Sequence, residues 1–314
     1  MDKVLILKPR LDVMFKKGPV PTKRGPIEPI REHWKRFVDA IASEEEAKGN
    51  TVKVLELPNW QFSPELIDAI QPTKTYIPHK QSHQFPVPEC YGPQYYMQMV
   101  FPWLFQIDPQ GWGPDASVWP IQPEEGHPDA LTELQARLKK GQSKFAQPKM
   151  NGYDGPATFE HKGYVFFPCQ IPHDETIRFH SDVSVADALQ CTIDYCKSRD
   201  LELIIKGHPV NPGSMEELRE IGKGYLWADN VNINHLIASS SMVCMVNSGV
   251  GMEAILLGKP VCTFGRADYS AVVYDCSNLA TAHSIMDAAI SDTPDLVRYR
   301  DFINTYVARM FDSR

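Results

Sequence analysis

Two short stretches in the second half of the chain hold residues able to bind a charged group. The first is Lys206-Gly207-His208-Pro209, directly after the apolar run LELII. Glycine allows close backbone approach and proline stops a strand, so His208 is left at a strand's carboxyl end. The second is Asn247-Ser248-Gly249-Val250-Gly251-Met252-Glu253-Ala254, directly after MVCMV. Small residues opening a helix leave backbone N–H groups and a hydroxyl at its positive end, which suits an anion. Together the two read as a cradle for a nucleotide phosphate, with His208 and Ser248 as donors. Each alone is equally an ordinary turn; their placement on one expected sheet is what joins them. The full GxGxxG is missing, and no acid stands about 20 residues on as a dinucleotide fold requires. Nucleotide-sugar binding is therefore favoured over a redox cofactor.

Lys16, Lys17, Lys23, Arg24, Glu28, Arg31 and His33 follow the first expected strand. In a chain of net charge −7 this basic cluster suits an anionic group on a donor or an acceptor. Glu28 is a candidate general base for an acceptor hydroxyl. A solvated loop is the plain alternative. Among Tyr91, Tyr95, Tyr96, Trp103, Trp112 and Trp119, most are expected in the core. Trp112, in an exposed-looking GWG turn, is the one expected to stack on an acceptor sugar. Tyr269, after PVCTFG, is expected near the nucleotide. His83, His161, His180 and His235 show no metal-ligand spacing, and the chain has no DxD.

The elements that must carry these residues follow from apolar patterning. The chain has 314 residues, enough for about two domains. VLIL at 4–7, TVKVLELP at 51–58 and KTYIP at 74–78 read as strands. Between them, Ile30, Trp34, Phe37, Val38 and Ile41 mark a helix and ELIDAI a shorter one. YYMQMVFPWLFQI reads as a helix interrupted at Pro102. ALTELQARLKK is an amphipathic helix, and the Gly- and Pro-rich KFAQPKMNGYDGPATFEHKG is the expected interdomain linker. Strands and helices then alternate again from Tyr164 to Gly265, with Ser184 as an N-cap. The expected fold class is α/β, with two Rossmann-like doubly wound domains facing a cleft. Their bounds are 1–158 and 159–290, and LVRYRDFINTYVARMF within 291–314 is expected as a closing helix.

Composition narrows the function classes. Hydrophobic residues at 43% and charged residues at 23% are ordinary for a globular protein. With no block of like charge, a nucleic-acid partner is not expected. No long apolar run marks a membrane span, so a cytoplasmic protein is expected. The seven cysteines form no CxxC and read as small buried hydrophobes.

KGHP followed by NSGVGMEAILLGKPVCTFG resembles the bacterial capsule-polysaccharide synthesis family, which includes β-Kdo glycosyltransferases of the GT-B type. The resemblance spans about residues 164–270. It implies that Lys206, His208 and Pro209, with Asn247, Ser248, Gly249 and Gly251, hold the phosphate of CMP-Kdo. Glu253 would contact ribose or stabilise the turn. Family members also carry a Gln and, four positions later, an acid just after the domain's first strand. These positions are Gln170, expected among the residues that bind the donor nucleotide, and Asp174 here, with Cys169 and His173 departing from the usual neighbours. Asp174 would then be the nucleophile of a retaining transfer, with Glu175 and Asp182 as rivals by proximity. A CMP-sugar carries one phosphate, so neither a metal nor a cofactor is expected. The expected partners are the nucleotide-sugar donor, a glycan or glycolipid acceptor bound near Lys16, Arg24, Arg31 and Trp112, and other polysaccharide-assembly modules. Peripheral association with the inner face of a membrane is a further expectation. A UDP- or GDP-sugar transferase, a nucleotide-sugar 2-epimerase and a non-catalytic glycan binder remain the alternatives.

Overall fold

The computed structural model describes residues 1–11, 28–58, 61–101, 103–140, 143, 163–209 and 212–314, with Glu28, Pro29 and Pro212 described by backbone alone. It contains two compact units, one built on Met1–Trp119 and Arg309–Arg314, the other on Pro120–Ser143 and the chain up to Ala308.

In the first unit, β1 (Lys3–Pro9) is covered on both faces, because successive side chains of a strand point in opposite directions. Val4 and Ile6 pack with Ile30, Trp34, Phe37, Val38 and Ile41 of α1 (Glu28–Ala47), the stripe expected from helical spacing. Leu5 and Leu7 pack on the opposite face with Phe62 and with Ile67 of α2 (Pro64–Ile70). β2 (Thr51–Leu57) and β3 (Lys74–Pro78) flank β1 in parallel, and β4 (Gln94–Phe101) extends the sheet beside β3.

The apolar run expected as a broken helix is two strands. β4 turns back into β5 (Leu104–Asp108), antiparallel, with Tyr96 opposite Asp108 and Phe101 opposite Leu104. A run apolar at consecutive positions fits a doubly covered strand as well as a buried helix, and its aromatic content favours the strand. Pro102 lies outside the described residues. β12 (Phe311–Asp312) then pairs antiparallel with β5, so the sheet runs β12-β5-β4-β3-β1-β2.

The second unit holds the sheet β11-β10-β9-β6-β7-β8. Its strands are β6 (Tyr164–Pro168), β7 (Leu203–Lys206), β8 (Leu226–Trp227), β9 (Ser240–Met245), β10 (Val261–Thr263) and β11 (Tyr274–Asp275), all parallel. The crossovers are α4 (Glu175–His180), α5 (Val185–Arg199), α6 (Glu216–Ile221), α7 (Ile233–Ser239) and α8 (Val250–Leu256), followed by α9 (Leu279–Ser291) and α10 (Leu296–Ala308). Ser184 caps α5, its side chain accepting the Asp187 N–H at 3.0 Å. Val165 and Phe167 enter one large apolar cluster with α5. From the other face Tyr164 donates its hydroxyl proton to the Leu236 carbonyl at 2.8 Å.

The division of the chain differs from the 158/159 boundary read from sequence. α3 (Leu131–Lys139) stands with the second unit because its start and its middle are hydrogen-bonded there. Ala130 and Leu131 donate to Asn304 Oδ1 at 2.9 and 3.3 Å, and Gln135 Nε2 reaches the Leu256 carbonyl at 2.8 Å. Residues 291–314 are likewise divided, with α10 in the second unit and β12 in the first. The linker expected at 144–163 lies, except for Gly163, outside the described residues.

Candidate functional site

In the second sheet the chain passes from β6 to β7 to β8, then returns to lay β9 on the other side of β6. Ligands of such sheets bind beyond the carboxyl ends of the strands where the order reverses. The reversal lies between β6 and β9. Gln170 lies just past the end of β6, Lys206 ends β7 and is followed by Gly207-His208, and Asn247-Ser248-Gly249 lies just past the end of β9. The two turns singled out in the sequence therefore flank β6, about 10 Å apart by strand spacing.

Gln170 and Asn247 lock the turns around that point. Gln170 Nε2 donates to Asn247 Oδ1 at 3.0 Å, and the Asn247 backbone N–H donates back to Gln170 Oε1 at 2.9 Å. Asn247 Nδ2 also donates to the Thr176 carbonyl at 2.9 Å. Both side chains are buried and bonded to protein, so they shape the site rather than offer it donors.

Lys206 is turned inward as well. Its ammonium donates to the carbonyls of Ala228, Asp229 and Val231 at 3.4, 2.6 and 2.9 Å. Burial pushes it down to about 8, against the opposing pull of Asp229. The next residues remain at the edge: His208 is half-buried and Pro209 exposed.

The Ser248 turn is built from beneath by Tyr269. That ring is buried, and its hydroxyl donates to the Ser248 carbonyl. A Cβ on Gly251 would sit 2.3 Å from Tyr269 Cζ, so this glycine makes room for the ring. Tyr269, expected as a nucleotide contact, thus forms the floor of the turn, and burial raises its hydroxyl well above the usual tyrosine value. Gly249 is the exposed member, with nothing within 4 Å of where a Cβ would stand. Ser248 is half-buried and accepts the Val250 N–H at 3.3 Å. Glu253 is buried on α8 and accepts the Ser143 hydroxyl at 2.5 Å.

Asp174 is exposed and caps α4. Its Oδ1 accepts both the backbone N–H and the hydroxyl of Thr176, at 2.9 and 2.8 Å. No described residue donates to Oδ2. Glu175 is half-buried and Asp182 exposed.

The first unit contributes less. Lys16 and Arg24 lie outside the described residues, and Glu28 is described only as the first residue of α1. Arg31 lines a cavity of about 130 Å³ with Lys8, Trp34, Lys35, Glu32 and Glu56. Trp112, expected to be exposed, is buried at 5% exposure. Its loop closes on the Asp108 carboxylate, which accepts the N–H groups of Gln110, Gly111 and Ser117 at 2.8, 3.2 and 3.0 Å and draws the indole inward. Asp229 and Arg219 were not foreseen; Asp229 follows a short strand at the same carboxyl edge, and that position was the available signal.

Among the described residues no group of three or more His, Cys, Asp or Glu could hold a metal ion. No helix among them is long and apolar enough to cross a membrane.

The family model for capsule polysaccharide biosynthesis proteins matches residues 125–282, just over half the chain, and every candidate position of the second unit lies inside it. The chain belongs to this family. The match begins before α3 and ends in the first turn of α9, so it takes in α3 together with the whole parallel sheet of the second unit. Protein FixF of Sinorhizobium fredii is 31% identical over 111 residues, covering 34% of this chain and 28% of FixF. The chain thus matches well under two thirds of that relative's length. Two structures of Thermosulfurimonas dismutans KpsC, a β-Kdo 2,7 transferase and a β-Kdo 2,4 transferase, each align at 16% identity with a TM-score of 0.53. The alignments cover 96% and 91% of this chain and 89% and 90% of those chains. They show a shared fold: two Rossmann-like α/β units of the GT-B glycosyltransferase type.

Proposed function

We propose that this capsule-family chain is a retaining glycosyltransferase that moves Kdo from CMP-Kdo to a glycan or glycolipid acceptor without a metal ion. The observation that carries the reading is the edge where β7, β6 and β9 lie side by side. Asp174, His208 and Ser248 leave these three adjacent strands in the same direction.

In this reading His208 and the Ser248-Gly249 turn hold the single phosphate of the donor, with the positive end of α8 adding to the field. Asp174 Oδ2 attacks the anomeric carbon as CMP departs with the bonding electron pair. The acceptor hydroxyl then attacks the same carbon, its proton passes to a base, and Asp174 is released as carboxylate. Two inversions give net retention. Glu28 is the proposed base, and Lys16, Arg24 and Arg31 are proposed to face an anionic acceptor. Acceptance of a glycolipid with peripheral membrane attachment, and work beside other assembly modules, belong to the same proposal.

Calorimetry with CMP tests the phosphate assignment. His208→Ala and Ser248→Ala should each weaken CMP by about tenfold or more, the value of a hydrogen bond to a charged group. Asp174→Ala should lower transfer by several orders of magnitude with CMP affinity kept. CMP affinity unchanged in both of the first two variants removes the assignment. A thermal shift with UDP or GDP but not CMP moves the donor to another nucleotide sugar.

A further inference from the structure

The turn that presents His208 is held by a loop on the far side of its own strand. After β8, residues Ala228–Val231 receive four bonds from Lys206 and Gly207. Lys206 Nζ reaches the carbonyls of Ala228, Asp229 and Val231. The Gly207 N–H donates to Asp229 Oδ1 at 2.8 Å. A Cβ at Gly207 would lie 3.1 Å from that oxygen, so the absence of a side chain there lets the carboxylate come up to the backbone. The other oxygen, Oδ2, is ion-paired with Arg219, whose guanidinium lies 4.4 Å from the centre of the Trp227 ring.

A carboxylate next to a phosphate-binding turn would oppose the phosphate. Here its charge is offset by Arg219, and the arginine is itself braced on an indole. Resting on the phosphate reading given above, we infer that Asp229 is a positioning residue. It fixes the Gly207 N–H and so the direction in which His208 leaves β7, while Arg219 cancels the charge this costs.

Calorimetry of CMP binding to the full chain tests the inference. Asp229→Ala should weaken CMP about tenfold, close to the loss in His208→Ala. The double variant should lose little more than either single one, because both act on one turn. Asp229→Asn keeps an oxygen for the Gly207 N–H and should stay within about threefold of the parent. Arg219→Gln leaves the carboxylate uncompensated and should weaken CMP, and adding Asp229→Asn to it should restore binding. A role in stability alone would lower melting temperature without these couplings. The inference is overturned if His208→Ala weakens CMP while Asp229→Ala does not, if the two losses multiply, or if Asp229→Asn fails to rescue Arg219→Gln. Should Asp229→Ala not fold, the rescue pair decides. If His208→Ala itself leaves CMP affinity unchanged, the phosphate reading falls and the positioning role with it.

Discussion

In each unit a buried charged side chain lies beside the sheet, Glu45 in the first and Lys206 in the second, at opposite ends of the strands. In the first unit the Glu45 carboxylate, near the end of α1, lies against the start of β3. It accepts from Lys48, Asn50, Lys74 and Tyr76 at 3.1, 2.8, 2.8 and 3.0 Å. In the second unit the Lys206 ammonium lies at the finish of β7 and donates to three carbonyl oxygens, with the Asp229 carboxylate as the nearby opposite charge. Burial works against both charges. For Glu45 the hydrogen bonds outweigh burial and hold the carboxyl at about 2. For Lys206 burial wins. The charge at the amino edge is therefore favoured by its surroundings, whereas the one at the carboxyl edge is disfavoured by its burial and stands where α/β sheets bind ligands.

Removing the amino-edge charge should give the largest effect. Glu45→Ala strands Lys74 and Tyr76 and should destabilise the protein by about 3 kcal/mol, read as a lower urea midpoint. CMP affinity of the folded variant should not change. A loss of CMP binding would erase the contrast between the two edges.

A smaller effect separates two glycines of the Ser248 turn. Gly251→Ala drives a methyl into the Tyr269 ring and should cost about 1–3 kcal/mol. Gly249 has φ −55°, open space around it and a place at the start of α8, so Gly249→Ala should change stability by less than about 0.5 kcal/mol. Differential scanning calorimetry of the pair checks both. Equal losses would mean that Tyr269 does not set the shape of the turn.

What the sequence revealed follows the same division. Strands buried on both faces were readable from VLIL and YVFFP, and the α1 stripe from Ile30 to Ile41 was complete. The β4–β5 hairpin was misread because its sequence is apolar at consecutive positions and carries no alternation to distinguish a strand from a buried helix, although the burial of β4 does alternate from Met97 to Phe101. The 158/159 boundary put α3 in the first domain, since Asn304 and Leu256, which hold it in the second unit, lie more than a hundred residues away. At the candidate site the turns themselves were visible as small residues after apolar runs. The inward duties of Gln170, Lys206, Asn247 and Tyr269 were not. Each is set by a partner at a distant chain position, such as Gln170 with Asn247, and only the strand order brings those partners together.

The pH dependence should show the contrast with the least disturbance to either unit. Its hydrogen bonds hold the Glu45 carboxyl at about 2 in the folded protein against an ordinary 4.5, so between these values the unfolded chain binds the extra proton. Its stabilisation is complete above pH 4.5 and fades as pH falls toward 2. Lys206 titrates near 8 when folded against 10.5, so the unfolded chain again holds the extra proton in that window. Stability should rise as pH goes from about 8 to 10.5, because the buried ammonium sheds its charge while the unfolded lysine keeps it. Urea midpoints taken across both windows should therefore show an acid loss that Glu45→Gln flattens and an alkaline rise that Lys206→Met flattens. The three carbonyls around Lys206 favour its charged form, so the alkaline change should be the smaller of the two. An alkaline rise that survives Lys206→Met would mean that another group carries it, and that the ammonium at the carboxyl edge is held without strain.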